Sequence, residues 1–130
     1  MGKFLSVTIL AVLLLSSCGD SLGEKYVGFA KCLAEREAVF YGAYWCPHCV
    51  NQKAMFGKVA EEFLPYVECD PRGKGGDPKL CLEKKIEGYP TWDFVGEERL
   101  SGEVALSVLA EKTGCELPAN NTNSSGAGEA

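Results

Sequence analysis

Two cysteines separated by a proline and a histidine, Cys46-Pro47-His48-Cys49, stand where one kind of sequence gives way to another. Ahead of them, residues 38–45 (AVFYGAYW) are β-branched, aromatic or small and read as a buried strand. Behind them an amphipathic pattern begins. It predicts a helix from Cys46 that carries Val50, Met55, Phe56, Val59 and Phe63 inward and ends at Pro65. A strand that runs straight into a helix at a cysteine pair confines the chain to α/β architectures.

The rest of the pattern extends that unit. A helix is expected over 24–35, with Tyr26, Val27, Phe29, Ala30 and Leu33 on its apolar face. Residues 66–70 read as a second strand, and the Gly- and Pro-dense 71–78 as a loop. A short helix over 78–85 has Asp77 as its N-cap. Strands follow at 91–95 and 98–102, then a last helix over 103–112 stopped by Gly114. A βα unit leading to a second parallel strand, then a hairpin and a closing helix, predicts a mixed central sheet with helices on both faces. The 116–130 segment (ELPANNTNSSGAGEA) has no core-forming pattern and is expected to be disordered. Its Asn120 and Asn123 sequons carry meaning only on a eukaryotic secretory route.

The N-terminus sets the compartment. Lys3 precedes the uncharged apolar run 4–15, which is shorter than the roughly 20 residues of a membrane-spanning helix. The run ends in Leu15-Ser16-Ser17-Cys18, similar to the lipobox of bacterial lipoproteins, in which the cysteine is cut and acylated. The expectation is a signal peptide over 1–17, a lipid on Cys18 with a short tether to residue 23, and a folded domain over 24–115. That domain would lie outside the cytoplasm, on the periplasmic or cell-surface side, held to the membrane by its lipid. A plain secretory peptide is the alternative. The formal charge of −5, without any basic stripe, excludes nucleic acid as a partner.

Seven cysteines is an odd number. With Cys18 lipidated, six remain: Cys32, Cys46, Cys49, Cys69, Cys81 and Cys115. An oxidising compartment permits three bridges.

Four chemistries compete for Cys46 and Cys49. A c-type haem requires histidine directly after the second cysteine, where Val50 stands. A structural zinc requires four ligands, and the chain has one histidine and no second Cys-x-x-Cys. A permanent staple gains little from closing so short a loop. Redox exchange fits the position best. At a helix N-terminus, unpaired N–H groups and the helix dipole favour an anion, so Cys46 is expected to be the exposed attacking thiolate. Pro47 suits the first helical turn, and Cys49, one turn on, would close the disulfide. A cationic or hydrogen-bonding His48 beside the thiolate would stabilise the reduced form and make the disulfide a stronger oxidant.

WCPHC followed by a helix and then by Gly88-Tyr89-Pro90-Thr91 resembles the thioredoxin fold. In that superfamily the X-Pro bond ahead of the strand is cis and packs on the reactive pair. This implies a cis Tyr89-Pro90 bond, with the Tyr89 backbone and Trp45 beside Cys46 on the substrate side. The stretches FAKCLAEREAVFYGAYWCPHCVNQKAMFG, LPYVECDPRG and GYPTW bring the likeness closer. They resemble the thioredoxin-like domain fused to bacterial and plant homologues of vitamin K epoxide reductase, over about 27–114.

That likeness implies disulfide formation in exported thiol proteins, with electrons passed to a quinone-reducing membrane oxidoreductase. It also implies a second pair, Cys69–Cys81, across the loop after the second strand; a structural role is expected for it, with electron relay as the alternative. The Cys32–Cys115 pairing stays open, with free buried thiols as the alternative. Two departures stand out. The sequence contains no quinone-binding membrane portion, so the lipid is expected to hold the domain near a separate partner. Where many thioredoxins carry a buried acid, Phe40 is apolar, and the proton of Cys49 must move through water or another group. No cofactor and no metal is assigned. Reductase or isomerase activity of the same residues, or a soft-metal (copper) module built on Cys46, Cys49 and His48, are the rival functions.

Overall fold

The computed structural model describes residues 24–119, so the expected signal peptide and tether, Cys18, Asn120 and Asn123 lie outside the described residues. Its elements are α1 (Val27–Glu35), β1 (Val39–Gly42), α2 (Pro47–Ala54), a 3-10 turn (Ala60–Phe63), β2 (Tyr66–Glu68), α3 (Pro78–Glu83), β3 (Thr91–Asp93), β4 (Leu100–Ser101) and α4 (Leu106–Thr113). The sheet order is β2-β1-β3-β4. β1 runs parallel to β2 and antiparallel to β3, and β3 antiparallel to β4. This mixed sheet with helices on both faces is a thioredoxin-like fold.

Alternation along β1 builds two cores. Phe40 points into the larger one, with Phe29 and Leu33 of α1, Phe56, Trp92 and Leu109 of α4. Its ring stacks on Trp92 at 4.9 Å. Tyr41 points the other way, against Cys69 and the α3 residue Cys81. Helices α1, α2 and α4 thus share one face of the sheet, and α3 covers the opposite one.

Two disulfides follow from this layering. Cys69–Cys81 closes the β2–α3 loop on the α3 face. Cys32–Cys115 ties α1 to the residue after the Gly114 cap of α4. The sequence left open whether those helices meet; they lie on the same face.

Four expectations need correction. The helix from Cys46 stops at Ala54 instead of running to Pro65, because Gly57 takes a left-handed φ of 84° and turns the chain. Of the five residues assigned inward, Phe56 alone is buried; Val50, Met55, Val59 and Phe63 are 36–54% exposed. Gln52 occupies the inward position instead, fully buried. Its side-chain amide donates to the Val104 carbonyl at 3.0 Å, and its Oε1 accepts from the Val104 N–H at 2.6 Å. That clamp holds Val104 out of the helix and Ala105 is extended, so α4 begins at Leu106 rather than at Glu103. The strands are also shorter than expected at both 38–45 and 91–95, since each runs out of ladder partners.

Candidate active site

The Cys46 residue is the N-cap of α2, with extended backbone angles, and Pro47 begins the helix. The cap is made by sulfur: the Cys49 N–H donates to Cys46 Sγ at 3.4 Å. A negative charge on that sulfur would be met by an N–H and by the positive end of the helix dipole. Both cysteines are free thiols. Cys46 is more covered than the sequence suggested. It is 4% exposed and Cys49 1%. The reason is the loop ahead of β3: the Tyr89–Pro90 peptide bond is cis, and the Tyr89 carbonyl accepts from Cys46 Sγ at 3.7 Å.

The two sulfurs differ in what surrounds them. Burial pushes the Cys49 thiol up to about 12, with the hydrogen bond to Cys46 and the charge of Cys46 adding to it. Cys49 therefore stays protonated at neutral pH, which leaves Cys46 as the sulfur that attacks or is attacked first.

Trp45 flanks the pair and is 54% exposed. Its Nε1–H donates to Asp70 Oδ2 at 2.8 Å, and its ring meets Tyr89 edge-on at 6.2 Å. Asp70 in turn accepts from the Arg72 backbone and guanidinium, which holds its carboxyl well below the usual carboxylate range. The wall beside Cys46 is thus fixed from the residue that follows Cys69.

His48 faces outward. Its Nδ1–H donates to Glu103 Oε1 at 2.6 Å, and the Asn51 side-chain amide donates to the same oxygen at 3.0 Å. Together they lower the Glu103 carboxyl, the His48 bond most. The imidazole is thereby anchored to the segment ahead of α4.

Cys46, Cys49, Trp45, Tyr89 and Pro90 meet here and Pro47 opens the helix, whereas His48, expected beside the Cys46 sulfur, turns outward to Glu103. Sequence reasoning missed Gln52, Glu103 and Asp70. Among the described residues, no group of three or more His, Cys, Asp or Glu is arranged to hold a metal ion.

Fold and site define a thioredoxin-like domain with a Cys-x-x-Cys pair at a helix N-terminus beside a cis proline. The chain is 48% identical over 101 residues to the thiol-disulfide oxidoreductase LTO1 of Arabidopsis thaliana. That match takes in 75% of this chain but 27% of LTO1, so the chain spans about a quarter of its relative's length. No protein-family model matches the chain.

Proposed function

We propose that this chain is a thiol-disulfide oxidoreductase that forms disulfides in exported proteins through Cys46 and Cys49. A substrate thiolate attacks Cys46 Sγ of the oxidised pair, and Cys49 leaves with the bonding electrons. A second substrate thiolate then attacks the sulfur of the first, releasing the substrate disulfide and reduced Cys46. A membrane oxidoreductase that reduces quinone, of the vitamin K epoxide reductase type, reoxidises the pair. The domain acts outside the cytoplasm, tethered by a lipid on Cys18.

One observation carries the reading. A sulfur caps its own helix, with the Cys49 N–H at 3.4 Å and the Tyr89 carbonyl at 3.7 Å on another side. The N–H is placed to meet negative charge on that sulfur during exchange, and the Tyr89 backbone forms an edge where a substrate peptide would lie. The relative's name, thiol-disulfide oxidoreductase, supports the same chemistry.

The test is oxidation of a reduced, unfolded cysteine-containing protein by the oxidised wild-type chain, against Cys46→Ala. Stoichiometric substrate disulfides from the wild type and none from Cys46→Ala support the assignment. Tight binding of Cu(I) without any exchange would transfer it to the soft-metal module.

A further inference from the structure

Glu68 is 6% exposed, and the mechanism above gives it no task. It ends β2, next to the strand that leads into the cysteine pair. Its Oε2 accepts from the Tyr66 hydroxyl at 2.8 Å and its Oε1 from the Asp70 N–H at 2.8 Å. The 71–76 loop closes over it so tightly that a Cβ on Gly73 would stand 2.5 Å from the Glu68 side chain. Those two hydrogen bonds offset the cost of covering a carboxyl this fully.

The Tyr66 hydroxyl leads from Glu68 towards Cys49. Gly42 leaves a notch in β1, and both groups border it. A Cβ there would lie 2.9 Å from Cys49 Sγ and 3.4 Å from the Tyr66 hydroxyl. The notch therefore has on its border both a buried thiol and a hydroxyl already donating to the buried Glu68 carboxyl. The other titratable or charged groups facing this cluster are Cys46 and Lys53 on α2, Tyr89 and Asp70. The Lys53 ammonium lies 3.3 Å from the Tyr66 ring centre, over its face.

We infer that Glu68, acting through the Tyr66 hydroxyl, is the group that exchanges the proton of Cys49. The inference rests on the redox reading above. Where the superfamily's usual acid would stand, this chain has Phe40, so the carboxyl reaches the thiol from the neighbouring strand. During reoxidation Cys46 is joined to the oxidant in a mixed disulfide. Cys49 gives its proton to the Tyr66 oxygen, and Tyr66 passes its own to Glu68. The Cys49 thiolate then attacks Cys46 Sγ; the Cys46–Cys49 bond forms, and the oxidant's sulfur leaves as a thiolate. When substrate later opens the disulfide, Cys49 leaves as a thiolate and recovers the same proton by the reverse path.

The test uses reduced full-length protein mixed with glutathione disulfide, quenched with acid and weighed intact across pH 6–10. Glu68→Gln keeps the size of the side chain and the bond its oxygen accepts from the Asp70 N–H, sets an amide NH2 against the Tyr66 hydroxyl, and takes no proton. The expected result is a Cys46–glutathione adduct that resolves about 10- to 100-fold more slowly at pH 7 than in wild type. The deficit shrinks as pH rises, because hydroxide replaces the carboxylate. Formation of the adduct stays at the wild-type rate. Tyr66→Phe is the second variant, read in the same way should Glu68→Gln fail to fold, and the double variant is no slower than either single one. Resolution with an unchanged rate and pH profile in these variants overturns the inference while leaving the redox reading intact. A wild type that never forms the adduct overturns both.

Discussion

The Cys49 N–H points at the sulfur of Cys46 from 3.4 Å, so one half of the pair stabilises the other before any bond forms between them. The asymmetry extends to burial, which keeps Cys49 protonated and at the back of the site. Replacing each cysteine should therefore give different failures. Cys46→Ala abolishes exchange with substrate. Cys49→Ala still lets Cys46 react, but a mixed disulfide with substrate then persists for want of the resolving thiol. Intact mass spectrometry after reaction with a small disulfide separates the two outcomes.

The raised Cys49 thiol links stability to pH. Its folded value of about 12 lies above the ordinary 9.0, so the protonated form is favoured by folding. The contribution is fully present below pH 9 and is lost as pH rises from 9 towards 12. Three units correspond to at most about 4 kcal/mol. Urea unfolding of the reduced protein should show stability falling over that window more steeply than in Cys49→Ala. Parallel pH profiles would mean that the thiol is not held in its neutral form.

Gln52 makes a prediction about the fold. It clamps Val104 by both backbone groups and sits fully buried. Gln52→Leu keeps the volume but strands the Val104 N–H and carbonyl, at a cost of about 2–4 kcal/mol. Because Glu103 is carried on the same segment, the His48–Glu103 contact should loosen as well. Thermal unfolding measures the first effect, and the His48 ring resonances in NMR the second.

How far the sequence led is clearest at these positions. The Cys46–Cys49 pair, its helix and the Tyr89-Pro90 loop were legible because they depend on local signals: a strand composition, a proline at a helix start, a Gly-Tyr-Pro-Thr run. The Asp77 cap was legible for the same reason, and its side chain does accept from the Leu80 N–H. The break after Ala54 was not, because apolar residues continue at helical spacing through Phe63 while Gly57 redirects the axis. Periodicity alone could not say that Val50 would face solvent and Gln52 the core. Glu103 and Asp70 were invisible for another reason. Each reaches the site across many residues of chain, His48 to Glu103 across 55 and Trp45 to Asp70 across 25. The meeting of Cys32 with Cys115 likewise required knowing which face α1 and α4 share.

The two disulfides should differ in weight. Cys69–Cys81 closes a separation of 12 residues and Cys32–Cys115 one of 83. In the loop-entropy model they stabilise by about 3 and about 4.5 kcal/mol. Replacing Cys32 and Cys115 together by Ala should therefore cost more, read as a larger loss of unfolding free energy in urea, with the slope rising as the unfolded chain expands. Replacing Cys69 and Cys81 should cost less but also release Asp70 from Trp45, visible as a change in Trp fluorescence. Equal fluorescence in both variants would separate that loop from the site.

The most direct measurement is the reduction potential of the Cys46–Cys49 couple, obtained by equilibration with glutathione buffers in the full-length protein. A helix-capped thiolate favours the reduced form, so a disulfide-forming protein should equilibrate at a potential less negative than about −200 mV. A value near about −270 mV, that of a dedicated reductant, would contradict the direction of electron flow proposed here.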